Sequence, residues 1–405
     1  MDRYVPVGEP PVDEGTPMTL FNPAAFNPAA FNPAASNGAG PAHDVLLIAG
    51  SRPEAVRLAP VAAAMARAGR IEPVPVAAGP DPMMVHGALE AMGMPAAVTL
   101  LLGEPPHSQV AAAAALAVRL DELMLDRDPS AVLLSGGGIT AVVGAQVAFW
   151  RQIPVVYLEP GADVGAHPCP FPEGGNRRVI SQLTSMFLRG SDRPSPSVPG
   201  GPNTILVGDT MAAAALSDPK LAALAERARS GRTRIVLLDA ATDSVVAAAP
   251  GLLASHPDVD AVFIGMPGDA DLLGHPRVSV LARSALPDVV AIIAVSTVGV
   301  TDRHWVGREA KDFGLPTLLV ERVDRPDLVP DVVSADPAAV LTAITQQLAE
   351  RPDGRCQNAD PAAAGRAEHA LAWMFGLEAH PAPAARPGAG SQGTEGRAGG
   401  GHSLG

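Results

Sequence analysis

From Val45 onward the chain alternates short apolar runs with longer segments whose apolar residues recur every three or four positions. Runs of the first kind, bounded by Gly, Pro or Asp, predict buried strands, and segments of the second kind predict helices. A first series of strands is predicted at Val45–Ala49, Val74–Ala78, Val98–Leu102, Ala131–Ser135, Val155–Glu159, Met186–Arg189 and Thr204–Val207. Helices are predicted between them near Pro53–Ala68, Pro82–Ala91, Ser108–Leu125, Thr140–Arg151 and Glu173–Leu183. In Ser108–Leu125 the residues Val110, Ala113, Ala114, Leu116, Leu120 and Leu123 supply one apolar face.

A helix-rich link, Thr210–Arg229, leads to a second series. Its strands are predicted at Arg234–Leu238, Ala261–Ile264, Val278–Leu281, Val290–Val295 and Thr317–Val320, with helices near Ser244–Ala254, Trp305–Phe313 and Pro337–Ala349. Alternation at this spacing implies an α/β fold with doubly wound parallel sheets. Two halves of similar size read as twin Rossmann-like domains, 44–212 and 213–360, facing a cleft, with a ligand at the carboxyl ends of the strands. Residues 361–378 carry a final helix. The flanking stretches 1–43 and 379–405 read as disordered tails: the first contains three FNPAA repeats from Phe21 to Ala35, and the second is rich in Gly, Ala and Pro.

Composition narrows the function. Hydrophobic residues make up 47% but aromatics only 3%, so the cores must be built from Ala, Val and Leu. A net charge of -13 argues against a nucleic-acid partner, which needs a basic footprint. Cys169 and Cys356 form neither a disulfide framework nor a zinc-ligand spacing. The stretch Met1–Thr16 lacks the basic and apolar regions of a signal peptide, and the uncharged run Pro129–Trp150 is broken by Ser135-Gly-Gly-Gly138 into strand and helix rather than a membrane span. The expectation is a cytoplasmic protein with no membrane partner.

Three segments carry candidate chemistry. Gly50-Ser-Arg-Pro-Glu-Ala-Val-Arg-Leu-Ala-Pro60 is a strand-to-helix turn with Ser51 as N-cap and Arg52 and Arg57 in reach of an anion at the helix N-terminus. Gly136-Gly-Gly138-Ile-Thr-Ala141 fits the G-x-G-x-x-A dinucleotide fingerprint, trailed by Glu159, but it follows the fourth strand, whereas the fingerprint normally opens the sheet, and a tight glycine turn for close helix packing is the simpler account. Leu158-Glu-Pro-Gly161 and Pro170-Phe-Pro-Glu-Gly-Gly-Asn-Arg177 place Glu159 and Glu173 near strand ends, where paired carboxylates can divide into acid and base.

Taken together, these segments resemble the non-hydrolysing UDP-N-acetylglucosamine 2-epimerases. GSRPEAVRLAP is similar to that family's G-T-R-P-E-A-I-K-x-x-P signature, LEPG and PFPEGGNR to its V-E-A-G-L-R and P-x-P-E-E-x-N-R motifs, and Gly208-Asp-Thr210 to its G-N-T. The resemblance runs from about Val45 to Leu216. It implies a glycosyltransferase-B-like fold, a homodimer, a C-terminal helix crossing back onto the first domain, and a UDP-sugar substrate. The implied chemistry uses neither cofactor nor metal: a base takes the proton at C2, UDP leaves, and readdition with protonation from the other face inverts the centre. Position by position, the resemblance assigns Glu159, Glu173 and Arg57 to catalysis, and Arg52, Asn176, Arg177 and Glu309 to substrate binding.

Several family positions are replaced. The aspartate of H-G-D-T is Gly137, the arginine of V-E-A-G-L-R is Asp163, and the Q-H-R segment of a second nucleotide-sugar site is Gly79-Pro80-Asp81. In the second domain the H-R-x-E loop becomes Asp239–Asp243, a histidine becomes Met266, and the S-G-G-x-Q-E-E phosphate loop becomes Arg303–Glu309, with His304 and Trp305 in place of glycines. The readings open at this stage are therefore a divergent epimerase or related isomerase, a catalytically silent nucleotide-sugar-binding or scaffold homologue, and a dinucleotide-dependent enzyme.

Overall fold

The computed structural model describes residues 43–103, 107–159, 171–191, 201–213, 216, 218–239, 243–281, 286–301, 315–321, 332–350 and 362–381. The FNPAA repeats, Asp163, the helix predicted near Trp305–Phe313 and Glu309 lie outside the described residues.

The first series folds as β1 (His43–Ala49), α1 (Arg52–Ala68), β2 (Ile71–Ala77), α2 (Pro82–Ala91), β3 (Val98–Thr99), α3 (Gln109–Arg127), β4 (Ala131–Ser135), α4 (Ile139–Trp150), β5 (Val155–Leu158), α5 (Glu173–Leu183), β6 (Met186–Arg189) and β7 (Thr204–Leu206). Its seven-stranded sheet has the order β3-β2-β1-β4-β5-β6-β7, and every pairing is parallel. Because strand side chains alternate, Leu46, Ile48, Val132 and Leu134 face α3 and α4. Val45, Leu47, Ala49 and Leu133 face α1 and α2 on the other side.

A 3₁₀ turn (Thr210–Ala213) and α6 (Pro219–Arg229) lead to β8 (Arg234–Asp239), α7 (Asp243–Ser255), β9 (Val259–Ile264), α8 (Ala270–Gly274), β10 (Val278–Leu281), α9 (Leu286–Ile293), β11 (Val298–Thr301), β12 (Thr317–Glu321) and β13 (Val332–Ser334). The second sheet runs β10-β9-β8-β11-β12-β13, again parallel throughout. It repeats the winding of the first, so each sheet reverses direction once, between β1 and β4 and between β8 and β11. The fold is α/β with two Rossmann-like units. They meet where Val56 of α1 and Met211 join the cluster of Leu224, Leu237, Ile292 and Ile293.

Two further helices close the chain, α10 (Pro337–Glu350) and α11 (Ala363–Met374). Helix α11 returns to the first unit, where Ala367, Ala370, Leu371 and Met374 enter the core beneath α1. Its polar residues fix the docking. Arg366 Nε donates to the Val207 carbonyl at 2.9 Å, Arg70 grips Glu368 through Nε and Nη2 at 2.7 and 2.8 Å, and Phe375 stacks on His43.

Two elements differ from the sequence-based expectation. The run Val290–Val295 is not a strand: it belongs largely to α9, with Ala294 N–H donating to Val290 O, and the strand follows at Val298–Thr301. A continuous apolar run has no period to tell a buried helix from a buried strand. Pro287 and Asp288 are the helix-start signals that decide it. In α3, the buried row is Ala112, Leu116, Leu120 and Met124, while Val110 is exposed, as is Ala114. With alanine on nearly every side, the pattern leaves the facing row to tertiary packing.

Candidate functional site

The carboxyl ends of β1 and β4, on either side of the reversal in the first sheet, form the crevice in which open α/β folds bind ligands. Helix α1 starts there because Ser51 is an N-cap with extended backbone, its Oγ accepting from Glu54 N–H at 3.5 Å. The Glu54 side chain turns back, and its Oε2 accepts from Gly50 N–H at 2.7 Å. The first anion at this turn is thus the chain's own carboxylate.

The β4–α4 loop closes over Glu54. Gly136 has φ of 78°, in the region where only glycine is unstrained. A Cβ added there would lie 2.6 Å from Glu54 Oε1, and one at Gly138 would lie 3.2 Å from the same atom. A Cβ on Gly137 would point the other way, 2.9 Å from both Arg177 Cγ and the Glu173 carbonyl oxygen. The glycine run is therefore a thin sheet of backbone between Glu54 on one side and α5 on the other. Tyr157 Oη donates to Gly136 O at 2.9 Å, and Asn176 Nδ2 donates to Gly137 O at 2.9 Å.

Of the sequence-predicted residues, Glu173, Asn176 and Arg177 meet this loop. Glu159, at the end of β5, is 7% exposed, and its Oε2 lies 3.7 Å from Arg189 Nε. Glu173 opens α5 with its side chain 48% exposed, 4.0 Å from Arg177 Nη2. Arg57 is buried on α1, and its carbonyl accepts from Thr210 Oγ1 at 2.9 Å. Arg177 Nε is buried and has no hydrogen-bond partner among the described residues. Arg52 sits in the β1–α1 turn, half-buried.

The pattern had left out four residues. Glu54 is enclosed, and burial pushes its carboxyl up to about 7; the Gly50 hydrogen bond, Arg57 and Arg177 pull it down, and Glu173 adds to the rise. Burial also raises the Tyr157 phenol and the Asp209 carboxyl. Arg189 is the counter-charge to Glu159. For Glu54 a signal existed: Ser51-x-x-Glu54 has capping-box spacing, although the carboxylate reaches the amide one residue earlier than that motif prescribes.

At the second reversal, Thr301 Oγ1 donates to buried Asp239 Oδ2 at 3.1 Å, and Met266 is 67% exposed. Among the described residues no group of three His, Cys, Asp or Glu side chains could hold a metal ion, and no helix is long and apolar enough to cross a membrane.

The family model for UDP-N-acetylglucosamine 2-epimerase matches residues 63–194. The UDP-N-acetylglucosamine 2-epimerase of Bacillus subtilis is 28% identical over 144 residues, which is 36% of this chain and 38% of that protein. A longer match, 23% identical over 316 residues and covering 70% of this chain and 84% of the relative, is with the "Probable UDP-N-acetylglucosamine 2-epimerase" of Ralstonia nicotianae. Among solved structures, the Neisseria meningitidis UDP-GlcNAc 2-epimerase bound to UDP-GlcNAc has a TM-score of 0.51 at 21% identity, over 82% of this chain and 99% of that one. The Methanocaldococcus jannaschii enzyme gives 0.51 at 15%, with the same coverage. In sequence over residues 63–194, and in fold over most of its length, the chain is similar to UDP-N-acetylglucosamine 2-epimerases.

Set beside that family, the glycine at 137 is not a simple deletion of a carboxylate. Helix α5 stands so close that its backbone occupies the space of a side chain, and Arg177 lies along the loop. Restoring an acid at 137 requires α5 to retreat.

Buried Glu54 makes stability depend on pH. Its carboxyl ionises near 4.5 when exposed and near about 7 in the fold, so the folded chain holds a proton that the unfolded chain has lost. Stability falls as pH rises through that window, by about 3 kcal/mol in full. Thermal melts of Glu54→Gln are expected to lose this slope and to exceed wild type at about pH 8. Parallel slopes in the two proteins would show that Glu54 ionises normally.

Proposed function

We propose that the cleft binds a UDP-N-acetylhexosamine and that the first unit epimerises it at C2. One of Glu159 and Glu173 accepts the C2 proton as the C1–oxygen bond to UDP breaks, leaving an unsaturated sugar and UDP. UDP then adds back at C1, and the other carboxyl delivers a proton to the opposite face of C2. Proton transfer by positioned carboxyls and cationic stabilisation of the departing diphosphate are the two demands of such a step. Arg57 and Arg177 supply positive charge, Arg52 contacts nucleotide or phosphate, Asn176 anchors the loop, and Glu309 is the ribose ligand from the second unit. A homodimer accompanies this assignment.

The observation that supports this reading is the meeting of Glu173, Asn176 and Arg177 at the Gly136–Gly138 loop beside the Gly50 turn, with Glu159 at the end of the neighbouring strand β5. Solvent-deuterium exchange tests it. Incubated with UDP-N-acetylglucosamine in deuterium oxide, the protein is expected to incorporate deuterium at C2 and to form the C2 epimer, both read by proton NMR. Exchange without epimer still identifies C2 chemistry.

One observation favours a second reading, a silent homologue that binds nucleotide-sugar without turnover. The space for an acid at 137 is filled by α5, and removing a group that transfers a proton forfeits about two to four orders of magnitude in rate. Binding of UDP-N-acetylglucosamine with no exchange at C2 selects this reading. A dinucleotide enzyme fares worst. The fingerprint needs open backbone at its glycines for a pyrophosphate, and here the Glu54 carboxylate faces Gly136 and Gly138.

A further inference from the structure

We propose that Glu54 is a positioning residue that takes up a proton from solvent when a nucleoside diphosphate binds beside the β1–α1 turn. This coupling rests on the nucleotide-sugar reading of the cleft and deepens it.

A helix N-terminus at a sheet reversal favours an anion through its amides and dipole. Here Glu54 Oε2 already holds Gly50 N–H, and Oε1 abuts Gly136 and Gly138. An internal anion thus stands where an incoming phosphate finds its most favourable field.

Among the described residues the charges around Glu54 are close to balance. Helix α1 brings Arg57 and, on the turn, Arg52; β5 ends in Tyr157 and Glu159; α5 brings Glu173 and Arg177; β6 brings Arg189; the link brings Asp209. Among the described residues the carboxylates of Glu54, Glu159, Glu173 and Asp209 are matched in number by the guanidinium groups of Arg52, Arg57, Arg177 and Arg189. A diphosphate adds negative charge beside the Glu54 carboxylate, which is itself shielded from water, and repulsion is strong there.

The least costly relief is a proton on the carboxyl that burial already holds near neutrality. A protonated Glu54 keeps an acceptor for Gly50 N–H while losing its charge. Asp209 is also raised by burial, but its Oδ1 is engaged by Met211 N–H in the link. Glu54 alone of the two is bonded to the turn.

The sign follows from linkage. If the protonated site binds the diphosphate, UDP affinity is greatest below about pH 7 and weakens by about tenfold per pH unit above it. The terminal phosphate of UDP loses its last proton near about 6, so at about pH 8 the free ligand is fully ionised and cannot mask the uptake.

Calorimetry of UDP binding to the full chain at about pH 8, in two buffers of different ionisation enthalpy, is expected to show uptake of about one proton. Glu54→Gln is expected to abolish that uptake and flatten the pH profile of Kd, whereas Asp209→Asn retains both. Binding without uptake, or uptake that survives in Glu54→Gln, overturns the coupling and leaves the nucleotide reading standing. Absence of UDP binding at any pH, in either protein, overturns both. Carbon-13 NMR of the Glu54 carboxyl in the ligand-free chain is a check that does not depend on the variant folding. A midpoint near about 7 is expected, and a midpoint in the ordinary carboxylate range overturns the proposal.

Discussion

Glu159→Gln is expected to lower deuterium incorporation at C2 of UDP-N-acetylglucosamine by about two to four orders of magnitude, with UDP binding retained. Glutamine keeps the shape of the side chain and one acceptor oxygen but cannot take or give a proton at this position. Glu159 lies at the end of β5, almost fully enclosed, with Arg189 Nε at 3.7 Å. Enclosure gives a carboxylate a fixed direction, and the arginine balances its charge when it is ionised. Glu173 is far more exposed and tied to Arg177 within one turn of α5, so the two carboxyls differ in surroundings as an acid and a base must. The rate is to be measured by NMR on protein whose melting temperature matches wild type. An unchanged exchange rate removes Glu159 from the mechanism, and a loss of UDP binding in step with exchange makes it a binding residue instead.

A second large effect is expected on stability. Gly50→Ala should cost about 3 kcal/mol, in the range of severe overpacking. A Cβ at Gly50 would lie 2.1 Å from Thr140 Oγ1, 2.3 Å from its Cβ and 2.9 Å from its Cγ2. The clash is with the root of the threonine, so no rotamer relieves it. The turn after β2 adds to the crowding, because a Cβ at Gly79 would lie 2.6 Å from Gly50 O and 3.0 Å from Thr140 Oγ1. The turns after β1, β2 and β4 therefore meet with almost no side chain between them. Adding Thr140→Gly is expected to rescue most of the loss, and a double-mutant cycle in urea measures the coupling. If Gly50→Ala melts with wild type, the three turns are not as closely packed as described.

Much of the fold was legible in the chain because its apolar runs are short and punctuated. The segment from Pro129 to Trp150 illustrates this. The glycines at 136–138 break it into β4 and α4, and the same break argues against a membrane span. Legibility failed where the pattern was uniform: Val290–Val295 is apolar without a period, and α3 is rich in alanine on all sides. At the first the helix-start signals Pro287 and Asp288 lie just ahead of the uniform run, and in α3 the neighbouring packing selected the buried row.

The site divides in the same way. Sequence alone determined that Gly50–Pro60, Glu159 and Glu173–Arg177 belong at strand ends on one side of a parallel sheet, because βα alternation permits only that placement. Capping preference likewise determined that Ser51 caps α1. Only the tertiary structure decided that Glu54 turns back to occupy the Gly50 amide, that Gly136–Gly138 is pressed between that carboxylate and α5, and that Arg189 is the counter-charge to Glu159. Those facts depend on atoms far apart in the chain approaching within a few ångströms. Charge, burial and the loss of water act on a carboxyl over that distance, and local pattern holds no record of it.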